Sequence, residues 1–142
     1  MAKTPHRLFE IYAIRSEAID VLRPKNATKL DDDFLASPTL KELSVSILDH
    51  VVVRVQFVGS EYTGPETPQA LRVDFLQLSQ ALALNSRVLI DFDGVLAFSP
   101  SSINAIAEFN NRLRIKGSRV VLCSISSRVL ESFFPLRQQQ RR

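Results

Sequence analysis

Arg87-Val-Leu-Ile-Asp-Phe-Asp-Gly-Val-Leu-Ala-Phe-Ser-Pro-Ser-Ser-Ile-Asn-Ala-Ile106 and Asn111-Arg-Leu-Arg-Ile-Lys-Gly-Ser-Arg-Val-Val-Leu-Cys-Ser-Ile-Ser126 are the two stretches on which the fold turns. Val88 to Phe92 is a short apolar run of the kind found in a strand covered on both faces. Asp91, Asp93 and Gly94 break the run. Ser99 then stands where a helix cap is wanted, with Pro100 at the first helical position and Ser101 and Ser102 behind it. Ile103, Ile106, Ala107, Asn110 and Leu113 form one helical stripe, and Gly117 supplies the stop. Arg119 to Ser124 is a second buried strand. Strand, helix and strand in this order imply parallel pairing through a crossover.

Outward from this unit the signals stay consistent. Ser126 or Ser127 opens a last short helix carrying Val129, Leu130, Phe133 and Phe134, which Pro135 ends. Upstream, Leu71, Phe75, Leu78 and Leu82 mark an amphipathic helix, with Thr67 as its N-cap and Pro68 at its first position. Gly59 to Pro68 reads as a loop. Leu43, Val45 and Ile47 alternate with polar residues, Asp49–His50 offers a turn, and Val51 to Phe57 follows, which makes a β-hairpin. Residues 25–38, with Asp31, Asp32 and Asp33 in a row and prolines beside them, read as a solvated loop. Residues 8–24 support two readings. Leu8, Ile11, Ala18, Ile19 and Leu22 share a helical face interrupted by Arg15. Alternation at Phe9, Ile11 and Ala13, and again at Ile19 and Val21, suits a hairpin turning near Ser16–Glu17, which is the expectation adopted here.

Composition removes many function classes. The chain has 142 residues, room for one ordinary domain, and a formal charge of +3 from 18 basic and 15 acidic residues. Arg137, Arg141 and Arg142 carry that excess, since without those three the balance is 15 to 15. The isoelectric point near 9.4 therefore describes a tail, and a nucleic-acid surface is not expected. Four glycines are too few for a Gly-rich nucleotide cradle, and the single Cys123 excludes an intramolecular disulfide or a multi-Cys zinc site. Cys123 reads as an inert, buried apolar residue. His6 and His50 are isolated, so no metal and no cofactor is expected. No apolar run is long enough to span a membrane, and Met1–Arg7 lacks a secretory signal's apolar core, which makes a cytoplasmic location the expectation.

Two constellations carry chemistry. Asp91-Phe92-Asp93-Gly94-Val95 after a strand looks like the opening motif of haloacid-dehalogenase phosphatases, in which both carboxylates bind magnesium and the first attacks phosphorus. No Lys or Asp follows Ser124 to complete that family's site, and the plainer reading is a carboxylate pair that turns the chain with Gly94. Ser99-Pro100-Ser101-Ser102 at a helix mouth suits a phosphate, because the first-turn amides are unsatisfied there. Its plainer reading is an N-cap with polar neighbours.

Taken together, the pattern of strand, Asp–apolar–x–Gly–Val, serine-bearing turn, helix, Lys-Gly and strand resembles the STAS domain of anti-sigma factor antagonists and sulfate-transporter tails. The resemblance spans some 95 residues and is specific in the last 50. It implies an α/β fold, a small mixed β-sheet with helices packed on it in a single domain. Residues 39–135 form that domain, residues 1–38 an N-terminal extension with a β-hairpin and an acidic loop, and residues 136–142 a basic, flexible tail. It also implies a non-enzymatic module in signal transduction and transcription regulation, with no catalytic residue. Such a module docks a protein partner, an anti-sigma factor of the serine-kinase type. A phosphoserine at the start of the helix releases that partner.

Carried over by position, the phosphoacceptor is Ser101, and the partner surface comprises Asp93, Gly94, Ser99, Ser101, Ser102 and Ile103. Where the family has Asp-Ser-Ser/Thr-Gly, this chain has Ser99, Pro100, Ser101 and Ser102, so three of the four positions depart. A side chain at Ser102 stands where the family allows close approach. The alternatives from the residues themselves are a magnesium-dependent phosphatase using Asp91 and Asp93, and a purely structural scaffold. The family continues past the last short helix with another strand and helix, whereas this sequence ends Gln138-Gln-Gln-Arg-Arg. Either residues 8–23 supply the missing sheet edge, or that edge is open to a partner.

Overall fold

A computed structural model describes residues 9–23, 40–49 and 51–133. The Asp31–Asp33 loop, His50, the helix end at Pro135 and the basic tail lie outside the described residues.

The alternating segments form the expected hairpin, β2 (Leu43–Leu48) antiparallel to β3 (Val52–Phe57), with Val45 opposite Val55. The two apolar runs become β5 (Arg87–Asp91) and β7 (Arg119–Cys123), parallel to one another with Val88 opposite Val120. β3 and β5 are also parallel. Both central strands are buried along four of their five residues, which is why they read as unbroken apolar runs.

The helix α2 (Thr67–Ala81) lies between β3 and β5 in the chain, and α3 (Pro100–Ile115) between β5 and β7. They pack together through Phe75 and Phe109, whose rings lie 4.7 Å apart, and through an Arg72–Glu108 ion pair. Leu71, Phe75, Leu78, Ile106, Phe109 and Leu113 join Val53, Val55, Val88, Ile90 and Leu122 in the main core. The short α4 (Ser127–Phe133) closes one end of it with Val129 and Phe133. Ser126 caps α4, its Oγ accepting the Val129 N–H. The α/β architecture implied by the resemblance, a small mixed sheet with helices packed on it, is the one that forms.

Three features differ from the sequence reading. The N-terminal hairpin is not formed. Instead β1 (Glu10–Tyr12) is followed by α1 (Arg15–Leu22), and β1 adds to β7 in parallel, giving the order β1-β7-β5-β3-β2. The tertiary context decides this. α1 seats Ala18 and Leu22 on Val52, Leu89, Val121 and Cys123, the residues of the central strands that point away from α2 and α3. Residues 9–23 thereby share the sheet, and the edge beside β7 is supplied from within the chain. Second, α2 is capped by the backbone of Glu66 with no side-chain bond, so Thr67 is its first helical residue and Pro68 its second. Third, the Gly59–Pro68 loop contains β4 (Glu61–Tyr62), which pairs in parallel with β6 (Ala97–Phe98) as a separate two-stranded sheet.

Candidate functional site

The site is built where β5 leaves the sheet. Phe92 N–H still bonds to Cys123 C=O at 3.0 Å, and the chain then reverses, with Val95 N–H on Phe92 C=O at 2.9 Å. Gly94, at φ +90°, occupies the third position of this turn, where a type II turn requires a positive φ. Asp91 Oδ1 accepts the Asp93 N–H at 3.0 Å and so fixes the turn from below. Leu96 N–H then reaches Ser60 C=O at 2.7 Å, and β6 pairs with β4. This small sheet aims the chain into α3.

Ser99 is the N-cap of α3, as its spacing before Pro100 implied: its Oγ accepts the Ser102 N–H at 3.1 Å. The hydroxyls continue the chain of bonds. Ser99 Oγ donates to Ser102 Oγ at 3.0 Å, and Ser102 Oγ donates to Tyr62 C=O at 3.1 Å. Tyr62 C=O also accepts Ser99 N–H at 3.0 Å. β4, which sequence inspection missed, is therefore the strand that anchors the serine cluster.

The candidate residues separate by exposure. Asp93, Gly94 and Ser101 are exposed and Ser99 is half-buried; these four, on the segment leading from the end of β5 into the first turn of α3, make up the candidate rim. Ser102 is fully buried and Ile103 is 8% exposed; both belong to the core side of the helix. The Ser102 side chain thus points into the fold and does not project at the rim. Leu96, 58% exposed, sits in the same rim beside Ser60, and Val58, 67% exposed, precedes that loop. Neither apolar residue announces itself in the sequence, because an isolated Val or Leu in a loop has no periodicity to mark it. Beside the rim lies a cleft of about 300 Å³ lined by Thr63, Ala97, Phe98, Ser99, Pro100, Arg128 and Ser132.

The carboxylate pair does not converge. Asp91 is fully buried and turned to the α1 side of the sheet, and Asp93 is exposed. Asp91 Oδ2 accepts Arg54 Nη2 at 2.8 Å, Arg54 Nε at 3.2 Å and Arg15 Nη1 at 3.3 Å. Burial by itself raises the Asp91 pKa, but the Asp93 N–H and the Arg54 and Arg15 guanidinium groups outweigh it and leave the carboxyl below its ordinary value. Both oxygens are engaged and the side chain is buried, an arrangement that suits a structural carboxylate better than one that attacks phosphorus and binds magnesium. Among the described residues no three His, Cys, Asp or Glu side chains gather as a metal site. Cys123 is buried on the same side. Desolvation is the main cause that pushes its thiol up to about 11, in keeping with an unreactive thiol. No described helix is long and apolar enough to cross a membrane.

No protein-family model matches this chain, and no curated protein matches it by sequence. Among solved structures it is similar to the anti-sigma factor antagonist SpoIIAA in its unphosphorylated form. The identity is 11% and the TM-score 0.48, over 70% of this chain and 81% of that one. It is also similar to the antisigma-factor antagonist STAS domain from Rhodobacter sphaeroides, at 14% identity and a TM-score of 0.42, over 63% of this chain and 91% of that one. These are likenesses at low identity; the α/β assignment stands on this chain's own strand order and helix packing.

Proposed function

We propose that this chain is a non-enzymatic regulatory module. It docks a protein partner through the rim formed by Asp93, Gly94, Ser99 and Ser101, and phosphorylation of Ser101 switches the contact. The observation that carries the reading is the position of Ser101. It is exposed, one residue past Pro100 in the first turn of a 16-residue helix whose cap is already supplied by Ser99. A kinase can therefore reach its hydroxyl without dismantling the cap.

A phosphoryl group there adds nearly two negative charges to a rim that holds Asp93. The positive end of the α3 dipole favours that charge within this chain. A partner that had met a neutral serine then meets a doubly charged group and is repelled. The engaged oxygens of Asp91 disfavour the phosphatase alternative. The partner class follows the resemblance and the neighbours, which are themselves anti-sigma factor antagonists. It is an anti-sigma factor of the serine-kinase type in a cytoplasmic pathway that regulates transcription.

The test is a pull-down from the native cell with Ser101→Ala and Ser101→Glu. Recovery of a kinase-like partner by Ser101→Ala and its loss with Ser101→Glu supports the switch. Equal recovery by both variants sinks it and leaves a constitutive scaffold.

A further inference from the structure

The N-terminal helix and the exposed turn meet on a single carboxylate. Asp91 Oδ1 holds the Asp93 amide, and Oδ2 holds two nitrogens of Arg54 and one of Arg15. The two arginines differ in how firmly they are placed. Arg54 belongs to β3 and its side chain is 18% exposed, whereas Arg15 is the first residue of α1 and is 46% exposed. Arg15 therefore comes and goes with α1.

α1 itself is lightly held among the described residues. Ala18 and Leu22 are buried, Ile19 and Val21 pack half-buried beside them, and Arg23, just past the helix end, pairs with Asp49 at the surface. Arg119 adds one bond to Val21 C=O at 3.1 Å. An eight-residue helix held by two buried and two half-buried apolar side chains opens more readily than the central strands it covers. When it lifts, Asp91 loses one of its cations and gains contact with water. The carboxylate that fixes the turn is then less firmly fixed itself.

We propose that α1 is a positioning element for the exposed turn: seated on the second face of the sheet, it completes the clamp on Asp91, and Asp91 in turn orders Asp93 and Gly94. Such a linkage is reciprocal, so a partner that immobilises the turn also holds α1 down. The functional meaning rests on the docking role proposed for the rim, but the linkage can be measured on the isolated chain.

The experiment compares the full chain with its Arg15→Ala, Arg15→Lys and Asp91→Asn variants. Two rates are followed: modification of the Cys123 thiol, which lies in the cluster under α1, and amide hydrogen exchange at Asp93 and Val95. Leu89 and Val121 amides, in the sheet centre, report global opening. Arg15→Ala should raise thiol modification and turn exchange together, by at least about fivefold beyond any change at Leu89 and Val121. Arg15→Lys should restore most of the difference. Faster thiol modification with unchanged turn exchange overturns the proposal, as does turn exchange that rises only in step with Leu89 and Val121. Should Asp91→Asn fail to fold, Arg15→Ala decides alone. These rates do not depend on Ser101, so the linkage and the phosphoswitch stand or fall separately.

Discussion

Replacing Ser102 with glycine restores the residue that the STAS pattern carries at this position, yet the structure requires that the change destabilise the protein. The Ser102 hydroxyl is fully buried and bonded to Tyr62 C=O. Losing that bond costs about 1 kcal/mol. Removing the buried hydroxymethyl adds about 0.8 kcal/mol, and glycine in a helical turn adds roughly 0.5 kcal/mol over serine. Tyr62 C=O keeps the Ser99 N–H, so no buried acceptor is orphaned, and the half-buried Ser99 hydroxyl can turn to water.

The expected loss for Ser102→Gly is therefore about 2 kcal/mol, against about 1 kcal/mol for Ser102→Ala. The exposed control Ser101→Gly should lose roughly 0.5 kcal/mol. Urea denaturation resolves these differences: with a slope near ~2 kcal/mol per M, Ser102→Gly lowers the midpoint by about 1 M. If Ser102→Gly is no less stable than Ser101→Gly, the inward placement of the Ser102 hydroxyl is refuted, and with it the route by which β4 anchors the rim.

Asp74 is buried in α2, and its Oδ2 accepts the N–H groups of Lys41, Glu42 and Leu43 at 3.0, 2.6 and 3.2 Å. Asp74→Ala should cost about 3 kcal/mol in chemical denaturation, and Asp74→Asn, which keeps an acceptor oxygen, less than half of that. Gly117 stands at φ +75°, and a Cβ there would lie 2.6 Å from Asn85 Oδ1, so Gly117→Ala should cost at least about 1–2 kcal/mol and lower the melting temperature. The pKa of Asp91 is lowered in the fold from an ordinary 3.8, so the unfolded chain binds its proton more readily. Its stabilisation is present above about pH 4 and is lost as the pH falls through the lower folded value. Stability measured from pH 6 down to pH 2 should fall less steeply in Asp91→Asn than in the unsubstituted chain.

Much of the site was legible because it depends on short-range rules. Ser99 before Pro100 is a cap by local chemistry, and Gly94 and Gly117 mark positive φ where the chain must turn. The apolar runs at residues 88–92 and 119–123 announce strands covered on both faces. What stayed hidden depends on partners distant in sequence. Ser102 looked like an obstacle at the rim until Tyr62, forty positions away, took its hydroxyl. Asp91 and Asp93 read more plainly as a pair that turns the chain than as a catalytic one, and the Asp93 N–H on Asp91 agrees; that Arg54 and Arg15, from 37 and 76 positions away, hold Asp91 on the far side of the sheet is not legible. β4 and β6 hold two residues each, too few for any periodicity to register.

The N-terminal segment shows the division most plainly. By itself the sequence determines the central unit, because its hydrophobic periods are long and its caps and glycines agree with them. It does not determine whether residues 9–22 pair with themselves or with β7. Their apolar residues satisfy a strand period and a helical period almost equally. The tertiary structure decides, because the unclaimed face of β5 and β7 offers Leu89, Val121 and Cys123 for Ala18 and Leu22 to cover. A local hairpin has no such surface to bury, and burying apolar area is the larger stabilisation.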